Sequence, residues 1–250
     1  MTWSAIGQSM AGTSHTAIDK PCEDALQYTE AGDGVLLCLA SDGAGSALYG
    51  GWAANYCTSK MLLRLSALVA DNAEITAAAV FEIAEDIYDA LTEEAAAMEM
   101  ELNEFSCTLL GCVIGMDKSL FFQIGDGAIV RNVGGYYTPV WWPENGEYQN
   151  STTFVVDDPG LGNLKITVMD ERVDEVAIFT DGLQLLALNT ETETVHQPFF
   201  NDLFRYLRMA VDPEKVNILN DKLKGYLDGP AINARTDDDK TLFMATRVKK

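Results

Sequence analysis

Three apolar runs in this chain end in Asp-Gly. Residues 35–40 lead into Ser41-Asp42-Gly43, residues 120–124 into Gly125-Asp126-Gly127, and residues 176–179 into Thr180-Asp181-Gly182. Runs of this length bounded by glycine have the pattern of strands buried on both faces. Each therefore carries a carboxylate to the point where a core strand reaches the surface. The glycine behind it lets the backbone turn sharply and come close to a ligand. A fourth acidic group, Asp237-Asp238-Asp239, precedes one more strand at 241–246, and Glu23-Asp24 precedes another at 25–30. Carboxylates gathered at strand ends repel one another unless cations lie between them, and hard divalent ions take oxygen ligands. The chemistry within reach of these residues is the binding of Mg2+ or Mn2+ in a carboxylate cage.

Other uses of the same residues explain less. Asp42 and Asp181 could cap helices, a common task for aspartate after a strand. Asp126-Gly127 is also a standard tight-turn pair. Capping does not account for four separated carboxylate clusters. Asp237-x-Asp239-x-Thr241 mimics the nucleophile motif of haloacid-dehalogenase-type phosphatases, but Asn233-Ala234-Arg235-Thr236 precedes it where that motif needs an apolar strand. Cysteine catalysis is disfavoured, because no cysteine stands in a Cys-x5-Arg loop and Cys107 and Cys112 lie in an apolar run. The two histidines differ in setting. His196 lies in a polar loop, whereas His15 sits in a polar turn shortly before Glu23-Asp24, where a site role and a structural hydrogen bond are both open.

The elements that must position these groups follow from periodicity. Residues 3–10 and 25–30 have strand patterns, separated by the polar turn Gly12-Thr13-Ser14-His15 and by Pro21. Beyond Asp42 the apolar spacing becomes helical, with Leu48, Trp52, Tyr56, Leu63 and Val69 on one face. Asp71-Asn72-Ala73-Glu74 is expected to cap a second helix, whose apolar stripe is Ile75, Ala79, Ile83, Ile87, Leu91 and Ala95. The short connection implies an antiparallel helix pair. Strands are expected at 106–115, 120–124, 128–133, 165–169 and 175–180, and helices at 198–210 and 213–227, each starting at a proline. The aromatic, turn-rich stretch 134–163 contains Tyr136-Tyr137-Thr138-Pro139-Val140-Trp141-Trp142, which reads as a hairpin packing its rings on the core. The order suggests sheet layers covered by helix pairs.

Bulk properties narrow the class of function. At 250 residues the chain fits one large domain or two small ones. Its net charge of −21, from 17 basic and 38 acidic residues, repels polyanions, so nucleic acid and membrane surfaces are set aside as partners. The five cysteines are scattered, without Cys-x-x-Cys or secreted disulfide spacing, which suits buried free thiols in a reducing compartment. The opening residues lack the pattern of a signal peptide, and no apolar stretch approaches a membrane span. A cytoplasmic protein is expected.

In its motifs the chain resembles the metal-dependent protein phosphatases of the PPM, or type 2C, family. The likeness rests on Glu23-Asp24-Ala25, Ser41-Asp42-Gly43-Ala44-Gly45-Ser46, Ser106-Cys107-Thr108-Leu109, Gly125-Asp126-Gly127, Thr180-Asp181-Gly182-Leu183 and Asp238-Asp239-Lys240-Thr241-Leu242, in the family's order. Gly12-Thr13-Ser14-His15 with Pro21-Cys22, and Gly146-Glu147-Tyr148-Gln149-Asn150, resemble a bacterial branch. The resemblance implies an α/β (α+β) fold: one domain over 1–250, a four-layer αββα sandwich of two mainly antiparallel β-sheets flanked by antiparallel helix pairs, with a flap-like insertion around 134–163.

It also implies a function: hydrolysis of phosphoserine and phosphothreonine in proteins by a metal-activated water at a binuclear Mg2+ or Mn2+ centre. Asp42 would bridge two ions, with the Gly43 carbonyl as a further ligand. Asp181 and Asp238, with Asp239 beside them, would complete one site, Glu23 or Asp24 the other, and Asp126 would stand near a third, weaker site. The implied partners are a phosphoprotein substrate and a cognate Ser/Thr kinase, with the enzyme a monomer. Three departures from the family pattern stand out. The phosphate-binding arginine before Glu-Asp is absent, leaving Lys20 as the nearby phosphate-binding candidate and His15 as a candidate general acid. Ala44 stands where some relatives carry histidine, and Asp239 replaces asparagine. These departures keep an alternative open, a phosphatase-like regulatory module that binds phosphoprotein or kinase with little turnover.

Overall fold

A computed structural model describes residues 2–143, 152–157 and 161–248. In chain order its strands are β1 (Thr2–Met10), β2 (Ala25–Ala31), β3 (Val35–Ser41), β4 (Leu109–Ile114), β5 (Ser119–Ile124), β6 (Ala128–Val133), β7 (Tyr136–Pro139), β8 (Lys165–Met169), β9 (Glu175–Phe179), β10 (Leu188–Asn189), β11 (Thr194–Val195) and β12 (Lys240–Val248). The long helices are α2 (Gly50–Ala70), α3 (Ala77–Ala97), α5 (Gln197–Met209) and α6 (Pro213–Leu227). Single helical turns form α1 (Thr13–Thr16), α4 (Gln184–Ala187) and α7 (Pro230–Asn233). The chain divides into two compact units. One comprises Met1–Cys22, Gly127–Trp142 and Val173–Lys250, and the other Glu23–Asp126 and Pro143–Arg172.

The second unit holds the antiparallel sheet β2-β3-β4-β5-β8. All but the first residue of β3 are buried, as are all six residues of β4, so side chains on both faces of these strands are withdrawn from water. Alternate residues Leu37, Leu39, Leu109 and Phe122 pack with Ala53, Ala54, Cys57, Met61 and Leu65 of α2 and with Val80, Ile83, Ile87 and Leu91 of α3.

The buried face of α2 differs from the expected stripe. Leu48, Trp52 and Leu63 are exposed, and Gly50, Ala53, Ala54, Cys57, Met61 and Leu65 face the sheet instead. Small side chains let the helix approach the strands closely, which moves the large rings to its flank. There Trp52 stacks on Tyr56, with ring centroids 5.2 Å apart. The cap of α3 is also displaced from the expected position. Thr76, not the 71–74 segment, accepts the Ala79 N–H at 3.1 Å, and Asp71 closes the preceding helix.

The first unit holds the antiparallel sheet β1-β12-β9-β6-β7, with α5 and α6 packed on one face. Ile6, Val130, Ala177, Phe179, Leu242 and Met244 form the sheet side of this core, and Phe200, Phe204, Leu207, Leu223 and Leu227 the helix side. As expected, α6 begins at Pro213, and Asp212 caps it by accepting the Lys215 N–H at 2.9 Å. The expected turn at 12–15 is a single helical turn, α1. The aromatic segment divides. Tyr136–Pro139 is β7, where Tyr137 is buried against Phe200 and Phe204, while Tyr136 is exposed. The 146–150 motif lies outside the described residues. Two antiparallel sheets, each carrying its own helix pair, make the α/β fold expected from the sequence and are the components of an αββα sandwich.

Candidate active site

In the second unit β3 delivers Asp42 one residue past its end. Two backbone groups of Asp42 are tied to Thr108. The Asp42 carbonyl accepts the Thr108 N–H at 2.8 Å, and the Asp42 N–H donates to the Thr108 hydroxyl at 2.9 Å. Gly43 pairs with Cys107 in an isolated bridge, donates to the Glu23 carbonyl at 3.3 Å, and lies against the start of α2. A Cβ on Gly43 would come within 2.3 Å of the Gly50 backbone, so the chain passes here only as glycine. Glu23 and Asp24, at the entry to β2, are 7% and 6% exposed. Neighbouring carboxylates held this far out of water suit a hard divalent cation, which takes oxygen ligands. Asp126 follows β5 between Gly125 and Gly127, both at positive φ (95° and 83°), and accepts a hydrogen bond from the Thr152 hydroxyl.

In the first unit two more acidic loops meet. Thr180 and Thr241 are buried and pair reciprocally. The Thr180 hydroxyl accepts the Thr241 N–H at 3.0 Å, and the Thr180 N–H donates to the Thr241 carbonyl at 3.3 Å. That pairing fixes where Asp181 leaves β9 relative to where β12 begins. Gly182 packs against the same loop, 2.0 Å from the Asp239 carbonyl measured to an ideal Cβ. Asp238 is exposed and its Oδ1 accepts the Asp239 N–H at 2.8 Å. Asp239 is 2% exposed. Its Oδ1 accepts the Gly12 N–H at 2.7 Å and lies 2.9 Å from His15 Nδ1. Ser14 is tied to the Asp237 carbonyl through both its N–H, at 2.9 Å, and its hydroxyl, at 2.6 Å. His15 is thus held against the acidic loop by α1. Lys20 is half-buried and its N–H donates to the His15 carbonyl at 2.9 Å.

The expected residues therefore fall into two sets: Glu23, Asp24, Asp42, Gly43 and Asp126 in one unit, and His15, Lys20, Asp181, Asp238 and Asp239 in the other. Their supports were less visible in the sequence. Thr108 and Thr180 stand inside recognised motifs, but as plain threonines they carry no chemical signal of their own. Thr152 follows a stretch with no periodicity. Lys240, fully buried, donates to Asn233 at 2.7 Å and so ties α7 to the start of β12.

The thiols stand apart from this chemistry. All five cysteines are free and four are buried. Burial pushes the Cys38 thiol well up and the Cys112 thiol up to about 12, and the hydrogen bond to Cys107 followed by burial raises Cys57. These three are protonated at neutral pH and are not nucleophiles. His196 is exposed, its Nδ1 3.1 Å from the Leu186 carbonyl. Among the described residues no helix is long and apolar enough to cross a membrane.

The chain and its fold are similar to known phosphatases. The chain is 37% identical to serine/threonine-protein phosphatase 3 of Escherichia coli (strain K12) over 261 residues, covering 98% of each. Its fold is similar to the serine/threonine phosphatase Stp1 from Staphylococcus aureus, with a TM-score of 0.68 at 15% identity, covering 100% of this chain and 96% of that one. It is also similar to the catalytic domain of the serine threonine protein phosphatase PstP, a structure in complex with two manganese ions, with a TM-score of 0.60 at 14% identity over 99% of both chains. The family model described as protein phosphatase 2C matches residues 11–228, most of the chain, and the chain belongs to the protein phosphatase 2C family.

Proposed function

We propose that this metal-dependent serine/threonine phosphatase works through the carboxylates at its strand ends, with Asp42 and the Gly43 carbonyl holding a pair of divalent cations. Asp181 and Asp238 complete one position, Glu23 or Asp24 serves the other, and Asp126 stands by a weaker third. The observation that carries this reading is the delivery of Asp42, Asp126 and Asp181 just past the ends of the buried strands β3, β5 and β9. Within one unit, the buried Glu23 and Asp24 beside the Asp42-Gly43 turn support it. The PstP relative, with two manganese ions, supports the number of ions. Bound Mg2+ or Mn2+ supplies a water nucleophile at neutral pH and positive charge for phosphate oxygens.

The chain's own residues do the rest. Gly43 lets the backbone beside Asp42 pass close to the start of α2, and Gly182 lets the backbone beside Asp181 pass close to the 237–239 loop. Thr180 and Thr241 hold Asp181 and the 237–239 loop in step. His15, braced by Asp239, faces the incoming phosphate ester and assists the serine or threonine leaving group, which departs poorly without a proton. Lys20 adds positive charge for the phosphate in place of the missing arginine. Five free thiols support a reducing, cytoplasmic setting. The match over 11–228 supports one phosphatase domain; the same reading has it act as a monomer on a phosphoprotein that a cognate Ser/Thr kinase supplies.

The test is hydrolysis of a phosphothreonine peptide and of nitrophenyl phosphate by purified protein with Mn2+, with and without chelator. Turnover of both, abolished by chelator, is expected. His15→Ala slows the peptide far more than nitrophenyl phosphate, whose leaving group needs no acid. Undiminished turnover in chelator overturns the metal assignment, and equal losses on both substrates overturn the role of His15.

A further inference from the structure

The two ends of the Thr108 side chain face two different acidic loops. Thr108 lies one residue before β4 and is fully buried. On one side it meets the end of β3. Its N–H donates to the Asp42 carbonyl at 2.8 Å, its hydroxyl accepts the Asp42 N–H at 2.9 Å, and its carbonyl accepts the Ser41 hydroxyl. Both backbone polar groups of Asp42 end on this single residue, so the direction in which Asp42 leaves the strand is set there. On the other side is Gly125, which precedes Asp126. A Cβ on Gly125 would lie 2.5 Å from the Thr108 methyl carbon and 2.8 Å from its Cβ. Gly125, at φ 95°, is thus packed directly onto that methyl group, and its own carbonyl accepts from Gln123 at 3.0 Å.

We infer that Thr108 is a shared positioning residue, its hydroxyl aligning Asp42 and its methyl group aligning Asp126. The inference rests on the reading of Asp42 as a metal-holding residue, and it adds a division of labour within one side chain. Threonine is the residue that offers both ends. Valine keeps the methyl packing and removes the acceptor for the Asp42 N–H, while serine keeps that acceptor and removes the packing on Gly125. Groups that orient a ligand through a hydrogen bond typically shift metal affinity by about 10–100-fold when removed. The two substitutions should therefore separate what the native residue combines.

The experiment compares parent, Thr108→Val and Thr108→Ser by calorimetric titration with Mn2+ and by amide hydrogen exchange on the metal-free proteins. Thr108→Val should weaken Mn2+ binding about tenfold and speed exchange at the Asp42 amide. The Mn2+ needed for half-maximal activity should rise in proportion, and kcat at saturating Mn2+ should stay within about threefold. Thr108→Ser should restore the affinity and the Asp42 protection, and instead speed exchange at Gly127. Circular dichroism confirms the fold of each variant, and the serine arm stands if the valine variant does not fold. Equal effects of the two substitutions at both amides, or no effect of valine on affinity and exchange, overturn the inference. If the parent itself takes up no Mn2+, the metal reading of Asp42 fails, while the exchange pattern still decides whether Thr108 positions the two loops.

Discussion

Replacing Gly182 by alanine should disable the enzyme while leaving most of the fold in place. The added Cβ would stand 2.0 Å from the Asp239 carbonyl oxygen, 3.1 Å from its carbon and 3.5 Å from the Asp238 side chain. Carbon does not approach to less than 3.0 Å in this setting, so the 237–239 loop must retreat by at least about 1 Å. It has little room to do so. An ideal Cβ on Gly12 would already lie 2.2 Å from the Asp237 carbonyl and 2.4 Å from the Asp238 carbonyl carbon, so the loop is pinched between two glycines. Its remaining tethers, Gly12 N–H to Asp239 at 2.7 Å and Ser14 N–H to Asp237 at 2.9 Å, would stretch with it. Overpacking of this kind costs about 1–3 kcal/mol of stability. A misplacement of about 1 Å among reacting groups costs about a hundredfold in rate. Steady-state hydrolysis of a phosphothreonine peptide at saturating Mn2+ should therefore show kcat/KM about a hundredfold below the parent, and urea unfolding a loss within that energy range. Turnover within threefold of the parent would show that the loop has slack, and would refute the claim that its placement sets the rate.

Other expectations follow from the same geometry. Asp42→Asn should abolish turnover and remove the rise in melting temperature that millimolar Mn2+ produces in the parent, since ions that bind the native state stabilise it by mass action; an equal rise in both proteins refutes it. Stability should fall above pH 9. An unfolded thiol ionises near 9.0 while the Cys112 thiol stays protonated to about 12, so stability present below pH 9 is lost as pH rises. Cys112 accounts for about 1.4 kcal/mol between pH 8 and 10, and urea melts of the parent and Cys112→Ala that decline equally would contradict this. Arg208→Ala should cost about 2 kcal/mol, the buried-pair value discounted because the arginine is 45% exposed. Among the described residues Glu175 then keeps Tyr137, Thr246 and Asn132 as donors, and unchanged unfolding would mean those suffice. Trp141 and Trp142 replaced by alanine should weaken phosphopeptide turnover more than that of nitrophenyl phosphate, and equal losses would assign both rings to packing.

How much of this was legible beforehand depended on whether a residue's task is written in its type. Aspartate after an apolar run followed by glycine announces itself, and Asp42, Asp126 and Asp181 all stand at the ends of strands the pattern anticipates. The ranges of β8 and α6 were also readable, because alternation and a leading proline are local signals. The face of α2 was not, because large apolar residues suggest burial and here the alanines and a cysteine are buried instead. Nor was the cap of α3. Asp71-Asn72-Ala73-Glu74 has the composition of a cap, but Asn72 takes φ 53° and turns the chain out of the preceding helix. The partnership of His15 with Asp239 joins positions more than 200 residues apart, and no local pattern reports on such a pair.

The pairing of β1 with β12 sets a timetable for the enzyme's birth. Met10 lies opposite Lys240 and Thr2 opposite Val248, and β12 is also the strand that links β1 to β9. Segments emerge from the ribosome in order, so β1 must wait through the synthesis of residues 11–239 before its neighbour exists. Pairings across such separations form slowly even then. The loop at 237–239 and the turn that carries His15 come together in the same event, because Gly12 and Ser14 dock on that loop. A nascent chain can complete the α2–α3 side early and still lack a working centre. Catalytic competence is thus acquired late, when β12 docks beside β1.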